Sequence, residues 1–390
     1  MRNRKANIFI IVLLMSIVCV TFVFNCGNDD IITPLPPVTA IVGDWVPTST
    51  IGVPSERYLH TAIWTGSEMI VWGRGYSTGG RYNPSTATWQ PTSMNGPPDG
   101  RYFHTAVWTS SKMILWGGWG SGGRYKNTGG RYDPTTDTWS DTTINGAPNE
   151  RWLHSAVWTG TQMIVWGGQY YFNGSHYFFN TGGRYDPTSD TWSDTSTTDV
   201  PIGRWLHTAV WTGSEMIVWG GQYYNGSNDY FIKSGGRYDP TTDTWSDTST
   251  IDAPGERYFH SAIWTGSKMI IWGGRYYFND TYYFLNTGGM YDPTTDSWSD
   301  TATIDAPSKR HLHAAVWTGT EMFVWGGQFL TDGLKTGGMY NPDTGWETLP
   351  TSHAPSARYK HSAVWTGTQI IVWGGEDPIG KLNTGGVYTP

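Results

Sequence analysis

The stretch Arg257-Tyr258-Phe259-His260-Ser261-Ala262-Ile263-Trp264 decides the fold, together with three segments downstream of it: Met269-Ile270-Ile271-Trp272-Gly273-Gly274, then Thr287-Gly288-Gly289-Met290-Tyr291-Asp292-Pro293, and Trp298. This order of residues returns seven times. The opening arginines are Arg57, Arg101, Arg151, Arg204, Arg257, Arg310 and Arg358, separated by 44, 50, 53, 53, 53 and 48 residues. Self-similarity at a period near fifty marks a repeat architecture, in which a single unit cannot bury its own apolar face.

Each repeat offers four short strands. Strand a runs through His260–Trp264, strand b through Met269–Trp272, strand c is centred on Tyr291 and strand d on Trp298. Apolar residues occupy successive positions in a and b, so both faces of those strands need cover. Four-stranded sheets stacked around an axis provide it and leave only short edges. A double glycine ends strand b in six repeats (Gly117-Gly118, Gly167-Gly168, Gly220-Gly221, Gly273-Gly274, Gly326-Gly327, Gly374-Gly375), and a Tyr and a Trp follow with six residues between them, as in Tyr132 and Trp139. Two departures occur: Arg74 follows Gly73, and the interval from Tyr340 to Trp346 is one residue shorter. On these residues the chain, from Gly43 to Pro390, resembles the kelch-repeat proteins. The resemblance implies an all-β fold, a seven-bladed kelch-type β-propeller with strand a nearest the axis.

The seventh repeat ends at Tyr388-Thr389-Pro390 without a strand d. The segment Asp44-Trp45-Val46-Pro47-Thr48-Ser49-Thr50-Ile51 matches Thr244–Ile251, and Trp45 stands twelve residues before Arg57, the spacing of the six other strand-d tryptophans. The N-terminal strand is therefore expected to complete the last blade and close the ring, removing the exposed edges that invite aggregation. Of the 24 tryptophans, 21 fall in strands a, b and d and are expected in the core. Each buries roughly 150–250 Å², about 4–6 kcal/mol gross as an upper bound.

Arg2, Arg4 and Lys5 precede an apolar run from Ile8 to Phe24, which reads as an export signal over residues 1–25. Cys26, followed by Gly27-Asn28-Asp29-Asp30, resembles the lipidated cysteine of bacterial lipoproteins, although Val23, Phe24 and Asn25 are not the small residues that usually precede it. Lipid attachment at Cys26 is the expectation; an uncleaved anchor and simple secretion are the alternatives. Residues 26–42, with Pro34, Pro36 and Pro37, read as a tether to a propeller spanning 43–390. The two cysteines, Cys19 and Cys26, both lie outside that body, which has neither a disulfide nor a thiolate site. The formal charge is -7, and without the three leader cations the remainder stands near -10 (22 basic against 32 acidic residues). An acidic body argues against nucleic acid and against electrostatic docking on an anionic bilayer. A monomer is expected.

Three internal spacings hardly vary, whereas the interval from the strand-b Trp to the strand-c Tyr takes the values 10, 16, 19, 19, 19, 15 and 15. Length variation confined to one connection points to the binding face. Three consecutive repeats carry the longest, most aromatic versions, with Asn-Gly or Asn-Asp at the centre as in extended hairpins. Tyr170, Tyr171, Tyr223, Tyr224, Tyr276 and Tyr277 are candidate ligand contacts there, expected as an arc across adjacent blades; the alternative is that they pack on neighbouring hairpins. In a meander the b–c and d–a connections share one face. By the resemblance, Arg151, Arg204 and Arg257 border that face and are added to the candidate site, unless each pairs with a local acid or carbonyl.

His60, His104, His154, His207, His260, His313 and His361 recur once per repeat in equivalent surroundings, which suits structural imidazoles better than a three- or four-ligand metal site. The Asp-Pro turns are ordinary turn chemistry rather than calcium loops. The Asn-x-Ser/Thr triplets at Asn173, Asn225 and Asn279 matter only in a eukaryotic secretory route. No metal and no cofactor is expected. Seven near-identical repeats supply no asymmetric constellation of unlike groups. The reading is a non-catalytic binding scaffold of the cell envelope that recognises protein or glycan. The alternative is a carbohydrate-active enzyme such as a sugar epimerase. Copper radical oxidase chemistry, which needs a cysteine crosslinked to a tyrosine, is excluded by the cysteine-free body.

Overall fold

The computed structural model describes residues 42–390 apart from 121, 226 and 227. The expected export signal, Cys26 and all of the tether but Val42 lie outside the described residues. Those described contain no α-helix and form seven antiparallel four-stranded sheets. In the fourth repeat, strand a is Thr208–Trp211, b Met216–Trp219, c Gly235–Asp239 and d Thr244–Asp247, in the order a-b-c-d. The strand Trp45–Pro47 pairs with Gly385–Tyr388, so the seventh sheet joins the beginning of the described chain to its end.

The apolar clusters lie between successive sheets. Val157, Ile164 and Trp166 of the third repeat pack on Met216, Val218, Tyr238 and Trp245 of the fourth. The same arrangement joins the first repeat to the seventh, through Met69, Val71 and Trp89 against Ile371 and Trp373. Strand b is buried at every position, because each of its faces meets a neighbouring sheet. Strand a is not: its tryptophans, Trp211 and Trp264 among them, are only half-buried, and the expectation that both its faces are covered is corrected accordingly.

The arginines do not begin strand a. Three residues separate them, and the second, at Leu59, Phe103, Leu153, Leu206, Phe259, Leu312 and Lys360, takes a left-handed φ of 52 to 58°. A non-glycine residue there costs about 1–2 kcal/mol. Main-chain bonds between repeats help to offset it: Leu153 N donates to Phe103 O (3.3 Å), Leu206 N to Leu153 O (3.4 Å), Leu312 N to Phe259 O (3.4 Å), Lys360 N to Leu312 O (3.0 Å) and Leu59 N to Lys360 O (3.1 Å).

The double glycine after strand b meets a backbone constraint at both positions. Gly220 and Gly221 have φ of +71 and +91°, and a Cβ would stand 2.7 Å from the His260 ring at the first and 2.5 Å from Trp205 O at the second. Arg74, which replaces the second glycine in the first repeat, keeps a φ of 80°. Its guanidinium lies over the Tyr58 ring (4.8 Å) and donates to Tyr76 Oη (3.0 Å), contacts that hold the strained backbone.

Candidate binding face

The three long b–c connections are hairpins, as their turn residues predict. Gln169–Phe172 pairs with Ser175–Phe178, Gln222–Tyr224 with Asp229–Phe231, and Arg275–Phe278 with Thr281–Phe284. Period-two alternation sends the candidate tyrosines to opposite sides of each hairpin. Tyr170, Tyr223 and Tyr276 are half-buried, while Tyr171, Tyr224 and Tyr277 are 44, 37 and 36% exposed. Tyr223 stacks on its cross-strand partner Tyr230 (5.0 Å, 15°) and Tyr276 on Tyr283 (4.9 Å, 9°), which uses one face of each ring.

The expected arc of six tyrosines is not what links the repeats. Among the described residues no ring contact joins a candidate tyrosine of one hairpin to that of the next. The second strand of each hairpin supplies a phenylalanine that meets the residue following the next arginine: Phe178 meets Trp205 (6.3 Å), Phe231 meets Tyr258 (5.3 Å) and Phe284 meets His311 (5.2 Å). Reading the sequence for Arg-x-x-His passed over that residue, which is Tyr58, Tyr102, Trp152, Trp205, Tyr258, His311 and Tyr359 in turn. Its signal is a position whose identity changes while the ring persists.

The arginine part of the candidate site is corrected. Arg151, Arg204 and Arg257 are at most 2% exposed, and their donors are spent on main-chain carbonyls. Arg151 Nη1 donates to Gly167 O (3.0 Å) and Thr181 O (2.6 Å), and its Nε to Asn149 O (3.0 Å). Arg204 reaches Gly220 O and Ser234 O, and Arg257 reaches Gly273 O and Thr287 O. These carbonyls flank the two ends of each hairpin. One planar fork thus pins both ends of the stem to the start of the repeat, which lets the hairpin vary in length without disturbing the sheets. Burial pulls the Arg151 pKa down, to about 9, so the guanidinium remains charged at neutral pH.

The repeated histidines have an equally definite place. Nε2 of His207 bonds the Ser155 hydroxyl of the preceding repeat (2.8 Å), and the same pairing joins His104 to Thr61, His154 to Thr105, His260 to Thr208, His313 to Ser261 and His60 to Ser362. Burial holds all seven imidazoles neutral, with His104, His207 and His313 lowered to about 3. The turn carboxylates also join repeats: Asp243 Oδ1 accepts from Tyr238 Oη (2.5 Å) and from Ser196 N of the repeat before (2.9 Å).

Other cations face rings. Arg275 lies over Tyr258 and Tyr282 (5.1 and 4.6 Å), and Lys360 lies over Tyr58 and Tyr359 while pairing with Glu376. The repeated arginines are therefore spent within the frame, and exposed rings on this side stand on the hairpins.

Sheets, double glycines and arginine clamps of this kind define a repeat scaffold, and comparison with known proteins agrees. The KLHDC2/KLHL20/DRC7 Kelch-repeats domain profile matches residues 43–221 and 153–375. The chain belongs to the kelch-repeat family. It is 32% identical over 136 residues to Kelch domain-containing protein 3 of Homo sapiens (33% of this chain, 35% of that protein). It is 31% identical over 152 residues to the same protein of Bos taurus (37% and 39%). The matched region spans a little over a third of these relatives' length. Kelch-repeat proteins are generally protein-interaction scaffolds.

Proposed function

We propose that this protein is a non-catalytic binding scaffold of the cell envelope and that its partner, a polypeptide or a glycan, docks on the hairpin tips. The observation that carries the reading is the contrast between frame and tips. Strand b, the repeated arginines and the repeated histidines are buried within the frame, whereas Phe172, Tyr177, Phe278 and Tyr282 stand half or more exposed on clamped stems. Exposed aromatic groups on a rigid support suit recognition, since little side-chain entropy is lost on docking.

In the same reading the seven sheets are the blades of one propeller, closed where Trp45–Pro47 joins the last sheet. The leader exports the chain, and Cys26 carries the lipid that holds it at the membrane. Cys26→Ser is expected to move the protein from the membrane to the soluble fraction or to block its processing. Absence of fatty-acid label from the unsubstituted chain would refute the anchor.

The binding face is tested by placing a photocrosslinking residue at Tyr224, on a hairpin, or at Ser214, on the a–b turn at the other end of the same sheet. Envelope adducts are expected from position 224 alone. Equal adducts from both positions, or adducts from 214 alone, would contradict the reading.

A further inference from the structure

The hairpin of the third repeat differs from the next two in one respect. Its cross-strand pair, Tyr170 and Tyr177, is splayed, with centroids 6.4 Å apart and planes at 40°, where the equivalent pairs stack. The cause is Tyr125 of the preceding repeat, which meets Tyr170 edge-on at 5.0 Å and 68°. Neither Tyr223 nor Tyr276 has such a neighbour among the described residues. The splay opens a cavity of about 460 Å³ lined by Tyr170, Phe172, Tyr177 and Phe179 from the hairpin, with Asn127, Asn149 and Glu150 from the repeat before. That volume lies in the range of small-ligand sites, roughly 300–1,000 Å³.

From this we infer that the cavity is a subsite for a neutral saccharide, an inference that rests on the hairpin side being the binding face. Tyr170 and Phe172 lie nearly parallel (17°) at 5.9 Å, and Phe172 and Tyr177 are half exposed, so flat apolar rings face the cavity. The C–H face of a pyranose is the complement of such rings, while its hydroxyls need donors and acceptors at the rim. The Asn127 and Asn149 amides and the Glu150 carboxylate supply both, and none of these three side chains has a hydrogen-bond or ion-pair partner among the described residues.

Charge selects against acidic sugars. Glu150 is the one charged residue in the lining, and the neighbouring Arg151 is spent on carbonyls and lies over the Phe179 ring at 4.4 Å.

The test uses the full chain in calorimetry and on an array of cello-, manno- and N-acetylglucosamine oligosaccharides, oligogalacturonate and a random peptide library. Binding to at least one neutral oligosaccharide is expected. Phe172→Ala and Asn149→Ala, both at exposed positions, should each weaken it at least tenfold, while Ser214→Ala, on the a–b turn at the other end of the sheet, should leave it unchanged. Oligogalacturonate as the one ligand would overturn the inference. So would neutral-sugar binding indifferent to Phe172→Ala and Asn149→Ala. Peptide capture at the tips with no saccharide binding would overturn the subsite and leave the binding-face reading standing; binding of neither class would count against both.

Discussion

Trp45, in the first described strand, lies directly opposite Tyr388, in the last, with ring centroids 5.2 Å apart. Trp45 also meets Trp325 of the sixth repeat at 4.6 Å, and its Nε1 donates to Pro350 O (3.1 Å). One side chain from the N-terminal end thus fills the space between the last two sheets. Trp45→Ala is expected to cost about 3–5 kcal/mol, as for other buried aromatics cut back to alanine. Deleting residues 44–50 should render the protein insoluble or lower its melting temperature sharply. A thermal melt that matches the intact chain would show that this strand does not secure the fold.

Stability should fall steeply in mild acid. The seven repeated histidines have folded pKa values far below the ordinary 6.5, because burial penalises their charged form. Above pH 6.5 both folded and unfolded chains hold them neutral, and stability is at its full value. As pH falls from 6.5 toward 3 the unfolded chain takes up protons that the folded one refuses, so stability drops. Each group contributes about 1 kcal/mol between pH 6.5 and 5.5, and seven together roughly 7 kcal/mol. That is comparable to the whole stability of an ordinary domain, about 5–15 kcal/mol. Circular dichroism against pH should show cooperative unfolding between about pH 5 and 6. Retention of the native spectrum at pH 4 would mean that these imidazoles are not held neutral.

One histidine lacks the hydroxyl that the other six have. Strand a of the sixth repeat begins with Ala314 where the others have Ser or Thr, and His361 Nε2 is buried without a partner. Ala314→Ser supplies the missing group with little added volume. It is expected to stabilise the protein by about 1 kcal/mol, the usual net value of an intramolecular hydrogen bond. Denaturant titration of the two proteins measures it, and an unchanged or lowered midpoint would contradict the assignment.

The strands, their order and the pairing of Trp45 with the last repeat were legible because period, turn residues and tryptophan spacing all constrain the same frame. The roles of the arginines were not. Arg151 and Arg257 stand in sequence beside Glu150 and Glu256, yet in the structure they bond carbonyls 16 and 30 residues away. Which acceptors a guanidinium meets depends on where the hairpin stem returns, and spacing does not encode that. The cavity beside Tyr170 was hidden in the sequence for a similar reason. Asn127, Asn149 and Glu150 belong to the preceding repeat, and Tyr125, the residue that opens it, has no counterpart in the motif. What distinguishes one repeat from its neighbours is written in residues outside the repeated pattern.

If the clamped frame carries the stability and the exposed tips carry the binding, the two properties must separate on mutation. One paired measurement tests this most directly, on the variant combining Tyr171→Ser, Tyr224→Ser and Tyr277→Ser: melting temperature, and affinity for the partner that position 224 crosslinks. Exposed substitutions of this kind each change stability by about 0.5 kcal/mol or less. The expected result is therefore a melting temperature within a few degrees of the parent and an affinity reduced at least tenfold. A lowered melting temperature with undiminished affinity would contradict it, by showing that the tips serve the frame and the partner binds elsewhere.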